Sequence, residues 1–202
     1  MSSKTTQSKN PKPGLLISPS RFFYARSNLL AALLATAVFA GYLVFVLMGK
    51  GAAFEVANST VRSLGTTLGF GQTEILAFLA ERSEEMILAY INFNQVWDSL
   101  FALIYGVMYV IWVSVLFKPY SKRATILNLL PFGQVVFDWV ENFALATLSN
   151  EYLAGGTISS TTAALASTFS TTKWVFSLLV YGVIFVGTVM RVVRAIKKRS
   201  QR

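Results

Sequence analysis

Residues 96–117 read VWDSLFALIYGVMYVIWVSVLF, and this run decides the fold class. A helix of about 20 apolar residues crosses the hydrocarbon core of a bilayer, and Asp98 is the one charged residue in the run. Three further apolar runs lie at residues 27–48, 124–148 and 173–190. The sequence therefore predicts an all-α, polytopic membrane protein with four transmembrane helices.

The composition of the 202-residue chain agrees with a membrane protein. Hydrophobic residues make up 54% of the chain and charged residues 13%, whereas soluble domains carry roughly 25% charged residues. The sequence contains no cysteine and no histidine, which excludes disulfides, thiolate nucleophiles, histidine zinc ligands and the Ser-His-Asp triad. Nucleotide-binding and zinc-binding motifs are also absent, so we expect no cofactor.

Basic residues alternate across the four predicted helices. Five of the 18 Lys and Arg residues lie in the N-terminal arm, three in the turn after the second helix and six in the C-terminal tail. Only four lie in the other two loops. Because basic residues favour the cytoplasmic side, we predict that both ends are cytoplasmic. The same rule explains the net charge of +9, so nucleic acid is not an expected partner.

The sequence divides into three parts around the predicted helices. Residues 1–26 are expected to form a disordered basic cytoplasmic arm, because they are rich in Lys, Ser and Pro. Residues 27–190 form the four-helix membrane domain, and residues 191–202 a basic cytoplasmic tail. Within the domain, residues 49–95 are expected to form a partly helical outer loop between the first two helices. Residues 149–172 carry few helix signals.

Three acidic residues lie within the predicted transmembrane helices. An acidic side chain at mid-bilayer costs about 2.5–3.5 kcal/mol on insertion scales, so Asp98, Asp138 and Glu141 require a function or a partner. In the predicted topology all three lie at a similar depth, near the outer face. Most polar residues of the third helix share a stripe about 140° wide, and the second helix has a narrower polar stripe. Polar stripes in lipid turn towards each other or towards water.

The two stripes predict a polar pocket, because a short turn makes the second and third helices antiparallel neighbours. Lys173, at the outer end of the fourth helix, is the nearest candidate cation, and Arg82 is a more distant one. One lysine against three carboxylates leaves negative charge that a bound cation or a retained proton would compensate. The candidate ligand- or cation-binding residues are Asn94, Asp98, Tyr105, Asp138, Glu141, Asn142 and Lys173.

Each of these features also has a purely structural interpretation. Asp98 lies near a helix end, where Trp97 is typical of an interfacial anchor. Asp138 and Glu141 could bond neighbouring side chains and hold the helices together. Pro131 is expected to bend the third helix, as prolines also do in helices without a binding site.

A short motif in the third helix resembles a known pattern. An Asp at the start of one helix, then Pro-x-Gly and Asp-x-x-Glu-Asn at residues 138–142, resembles a pattern seen in uncharacterised four-helix bacterial membrane proteins. The resemblance covers residues 92–148 and implies no known activity. We expect a multi-pass protein of a cell membrane, with the bacterial plasma membrane as the favoured location.

Three classes of function fit the sequence. The first is binding of a small polar ligand or cation, with or without a coupled proton, at the acidic pocket. The second is an accessory or structural subunit in which the polar cluster holds the helices together. The third is a membrane enzyme that uses two carboxylates as acid and base on a lipid-like substrate, and it ranks last. The expected partners are the lipid bilayer and either a second copy of the chain or another membrane protein.

Overall fold

The computed structural model describes residues 15–122 and 126–201, and their regular structure is entirely helical. Three helical segments within these residues are long and apolar enough to cross a membrane: Leu29–Phe54, Glu84–Tyr120 and Ser160–Ser200. Their length and hydropathy indicate a membrane protein, and the regular structure of the described residues is helical.

Eight α-helices are present in the described part of the chain. They are α1 (Ile17–Arg26), α2 (Leu29–Tyr42), α3 (Met48–Gly51), α4 (Gln72–Ala80), α5 (Glu84–Asn92), α6 (Ser99–Phe117), α7 (Leu130–Gly155) and α8 (Ser160–Ser200). A π-helical turn at Leu43–Leu47 joins α2 to α3, and a second at Phe93–Asp98 joins α5 to α6. Single 3₁₀ turns lie at Ala52–Phe54, Leu64–Thr66, Lys118–Tyr120 and Leu127–Leu129.

The packing of the long helices centres on α6. Helix α6 contacts α2, α7 and α8, and α7 packs along α8 over a long interface. Helices α6 and α7 approach closely at Gly106, where an added Cβ would overlap the Val135 side chain. Among the described helices, α2 and α8 form no interface comparable with these. The first membrane-length segment is therefore attached mainly through α6.

The segment between α3 and α6 folds over the C-terminal end of α7 and the N-terminal end of α8. We call it the outer segment, after the outer loop predicted there. Its apolar residues and those of the two long helices form one core, so this part of the predicted outer loop is packed protein. The largest fully buried members of this core are Ile75, Phe78, Leu79, Ile87, Leu145 and Leu148.

The prediction of a disordered arm at residues 1–26 is wrong for α1, whereas residues 1–14 lie outside the described residues. Tyr24 packs against Leu116 and Phe117, which gives α1 an apolar anchor on α6. Asn128 is fully buried and donates to the carbonyl of Ser20 at 3.0 Å. These contacts order a segment whose composition alone indicates disorder.

Two local predictions in the second half of the chain are also wrong. Pro131 occupies the second position of α7, where its missing N–H is tolerated, so it begins the helix and does not bend it. Residues 149–172, which carry few helix signals in the sequence, are mostly helical, because α7 continues to Gly155 and α8 begins at Ser160. Gly156, in the left-handed conformation with φ 68°, ends α7, and the Ser159 side chain caps α8.

Candidate functional site

A π-helical turn at Phe93–Asp98 forms one wall of the site. Within it, the Asn94 side-chain amide donates to the carbonyl of Tyr90 at 2.8 Å, and the Ser99 hydroxyl donates to the carbonyl of Asn94 at 2.8 Å. Single π-turns inside α-helices are frequent at functional sites. Here the turn places Asn94 and Asp98 beside the same cavity.

Lys173 joins α8 to two carboxylates of α7. Its Nζ lies 3.2 Å from Asp138 Oδ1, forms a shorter ion pair with Glu141 Oε2, and donates to the carbonyl of Gly65 at 3.1 Å. Glu141 is 0% exposed, Asp138 4% and Lys173 7%. Burying a charge without a partner costs free energy, and the ion pairs with Lys173 offset this cost for the two carboxylates.

Hydrogen bonds connect the same cluster to α6. The Tyr105 hydroxyl donates to Asp138 Oδ2 at 2.6 Å, and the Asn142 amide donates to Asp98 Oδ2 at 3.0 Å. Within the described residues, Asp98 forms no ion pair with a lysine or arginine. The structure thus brings the predicted residues together and leaves Asp98 as the carboxylate without a direct cationic partner.

A cavity of about 900 Å³ lies against this cluster, beneath residues 55–66 of the outer segment. Of the predicted site residues, those that line it are Asn94, Asp98, Tyr105, Asp138 and Lys173. The other two, Glu141 and Asn142, are almost completely buried behind the cavity wall. Asp98 and Asp138 are therefore the acidic cluster residues that a ligand in the cavity would meet.

Sequence reasoning missed several residues of the cavity. Gln134 is 5% exposed and lines the cavity, and its Oε1 has no hydrogen-bond partner among the described residues. It lies one helical turn before Asp138, so the polar stripe on this helix could have identified it. The aromatic lining gives no sequence signal that separates it from lipid-facing aromatic residues. Besides the predicted Tyr105, it consists of Phe39, Phe54, Phe78, Tyr90, Phe93, Phe101, Tyr109, Trp174 and Tyr181.

Arg82, the second candidate cation, holds two parts of the outer segment together. Its guanidinium donates to the carbonyl of Phe54 at 2.9 Å and to that of Phe78, and lies over the Phe78 ring. Burial lowers the pKa of Arg82 below its ordinary value. Arg82 lines the cavity, but within the described residues it donates to backbone carbonyls and not to the acids of the cluster.

The cluster offers hydrogen-bond acceptors more than metal ligands. No group of three or more His, Cys, Asp or Glu in the described part of the chain is placed to hold a metal ion. Two carboxylates that face one cavity can accept bonds from a ligand with a positive charge or several donors.

Comparisons with models of known protein families, with curated proteins and with solved structures found no match for this chain.

Proposed function

We propose that the chain is a four-span membrane protein that binds a small polar or cationic ligand in the cavity beneath its outer segment. The observation that carries the proposal is the position of Asp98. Its carboxylate faces the cavity, accepts one bond from Asn142 and lacks a direct cationic partner among the described residues. An acidic side chain inside a membrane protein usually marks a binding site or an ion path.

Helix α7 supplies the fourth crossing in this proposal. At 1.5 Å per residue its 26 residues extend roughly 39 Å, which is enough to cross a bilayer. Its acids lower its mean hydropathy, but Asp138 and Glu141 are buried in the bundle. The residues on its opposite face are apolar and exposed, as expected for contact with lipid: Val136, Val140 and Phe143.

The distribution of basic residues supports an orientation with both ends in the cytoplasm. The proposed location is a bacterial plasma membrane. The natural chain has no cysteine, so a single introduced cysteine reports its own side of the membrane. The exposed positions Thr60, Lys122, Thr157 and Ser200 cover the two outer segments, the inner turn and the tail.

We expect Thr60→Cys and Thr157→Cys to react with a membrane-impermeant maleimide on intact cells. Lys122→Cys and Ser200→Cys are expected to react only after the cells are permeabilised. The difference in labelling between Lys122→Cys and Thr157→Cys tests directly whether α7 crosses the membrane, because these positions flank that helix. Labelling of both or neither on intact cells would rule out a crossing between them.

A structural role is favoured for the part of the cluster that does not face the cavity. Glu141 is fully buried, and its ion pair with Lys173 ties α7 to α8. A polar network of this kind fixes helix packing, as an accessory or structural subunit would require. In the binding proposal, Glu141 and Lys173 hold the site in shape, and Asp98 meets the ligand.

Thermal unfolding of the protein in lipid nanodiscs tests the binding proposal. The ligand panel contains ammonium, methylammonium, ethylammonium, sodium, potassium and calcium ions. We expect at least one cation to raise the Tm of the wild type with a saturable concentration dependence, since a ligand that binds only the folded state stabilises it. Asp98→Asn should abolish this shift, because it removes the negative charge and keeps the shape of the side chain.

Glu141→Gln is the matched control, because it neutralises a carboxylate of the same cluster that lies behind the cavity wall. This variant should unfold at a lower temperature without ligand and keep a ligand-dependent shift. A wild type that responds to no cation, or an Asp98→Asn variant that responds like the wild type, would contradict the proposal and leave the structural role.

A further inference from the structure

The cavity is much larger and more apolar than a small inorganic cation requires. Beyond the acidic cluster it is lined by aliphatic and aromatic side chains from three helices: Phe39, Leu43, Phe101, Tyr109, Trp174 and Tyr181. Aromatic ring faces attract cations as well as apolar groups. The lining therefore suits a ligand with a charged end and an apolar end.

The cavity lies at a seam between α2 and α8. Both helices contribute lining residues, for example Phe39 from α2 and Ser177 from α8. Each of them packs against α6, but the described helices α2 and α8 form no comparable interface with each other. Tyr181, which lines the cavity from α8, is 43% exposed. The apolar part of the cavity is therefore accessible from the side of the bundle that contacts lipid.

Gln134 is an independent indication of a ligand. Its side chain is buried and lines the cavity, and its Oε1 has no hydrogen-bond partner among the described residues. A buried amide oxygen without a hydrogen bond lowers the stability of the folded protein unless a donor reaches it. On α7 it lies one turn, or about 6 Å, deeper than Asp138. Tyr90 and Trp174 also line the cavity, and their Oη and Nε1 atoms are buried without a partner among the described residues. The Gln134 oxygen is an acceptor and the Trp174 N–H a donor, so the ligand group that satisfies Gln134 carries a hydrogen-bond donor.

We infer that the ligand is a protonated primary amine with an apolar substituent, which enters from the lipid through the seam between α2 and α8. This inference rests on the proposed function and names its ligand class. The ammonium group has three N–H donors. They match the carboxylates of Asp98 and Asp138 and the free oxygen of Gln134. The apolar substituent lies along the aromatic residues between α2, α6 and α8.

Four probes separate the contributions of charge, N–H donors and apolar chain. They are n-octylammonium, ethylammonium, n-octyltrimethylammonium and 1-octanol. Binding is measured by calorimetric titration of the full chain in lipid nanodiscs, with Asp98→Asn nanodiscs as the reference for partition into lipid. We expect n-octylammonium to bind at least tenfold more tightly than each of the other three probes.

Gln134→Met tests the acceptor itself, because methionine has a similar length and offers no amide oxygen. We expect it to weaken n-octylammonium binding about tenfold and to reduce the preference over n-octyltrimethylammonium. Gln201→Met is the matched control, since Gln201 is exposed at the end of α8 and does not line the cavity. It should bind all four probes like the wild type.

Each contrary outcome has a distinct meaning. Equal binding of ethylammonium and n-octylammonium would overturn the inferred apolar substituent and leave the proposed function in place. Equal binding of n-octyltrimethylammonium would overturn the requirement for N–H donors. Binding of 1-octanol to the wild type as tightly as n-octylammonium would show a groove for uncharged chains and overturn the inference. Failure of every cation to bind would overturn the proposed function as well.

Discussion

The Lys173→Met variant is expected to lose about 3–5 kcal/mol of folding stability, the range found when one partner of a buried ion pair is removed. Lys173 is 7% exposed and pairs with Asp138 and Glu141, and Glu141 is completely buried. Methionine keeps the apolar stem and removes the charge. Two carboxylates would then remain in the bundle without their cation, and the bond to the Gly65 carbonyl would be lost.

Unfolding in a mild detergent, followed by circular dichroism, measures this loss. Lys197→Met, at an exposed position near the end of α8, is the matched control and should change stability by less than about 0.5 kcal/mol. The double variant Lys173→Met/Glu141→Gln should recover part of the loss, because it removes the most deeply buried unpaired charge. A single variant as stable as the wild type would show that the ion pairs do not hold α7 to α8.

The membership of the acidic cluster could be predicted because it depends on regular geometry. Helical periodicity places Asp138, Glu141 and Asn142 on one face, and the short turn between helices brings that face towards Asp98. In the structure Lys173 pairs with Asp138 and Glu141, and the Tyr105 hydroxyl donates to Asp138. The Asn142 amide donates to Asp98 beside them. Their role in binding a ligand remains a proposal.

The cavity could not be predicted, because it depends on packing between segments distant in sequence. Its outer side consists of residues 55–66, whose composition indicates only a loop. The π-turn at Phe93–Asp98 changes the direction of Asn94 and Asp98 without any proline or glycine to signal it. Likewise, α1 is ordered through distant partners such as Asn128, which donates to Ser20.

Mean hydropathy alone does not identify every helix of this bundle that is long enough to cross a membrane. The 26-residue α7 is not among the segments selected by length and hydropathy, since its buried face carries carboxylates and amides. Burial explains the discrepancy, because Asp138 and Glu141 face protein while Val136 and Phe143 are exposed. A scale that averages over all faces of a helix cannot register this division.

The central claim of the account is that the cavity is acidic, because Glu55, Asp98 and Asp138 line it against Arg82 and Lys173. Ser177 is placed to test this claim. Ser177 is 2% exposed, lines the cavity and lies one turn after Lys173 on α8. A Ser177→Cys variant introduces one small thiol into a chain that has no cysteine of its own. Its rate of reaction with charged reagents depends on the potential at that point in the cavity.

The most direct test compares the reaction of Ser177→Cys with 2-aminoethyl and 2-sulfonatoethyl methanethiosulfonate in purified protein. Both rates are normalised to those of Thr60→Cys, which is exposed outside the cluster. We expect the cationic reagent to react roughly tenfold faster or more, since two charges 4 Å apart at an effective dielectric constant of 20 interact by about 4 kcal/mol and about 1.4 kcal/mol suffices for tenfold. Adding Asp98→Asn should remove most of this preference. Equal normalised rates for the two reagents would contradict an acidic cavity.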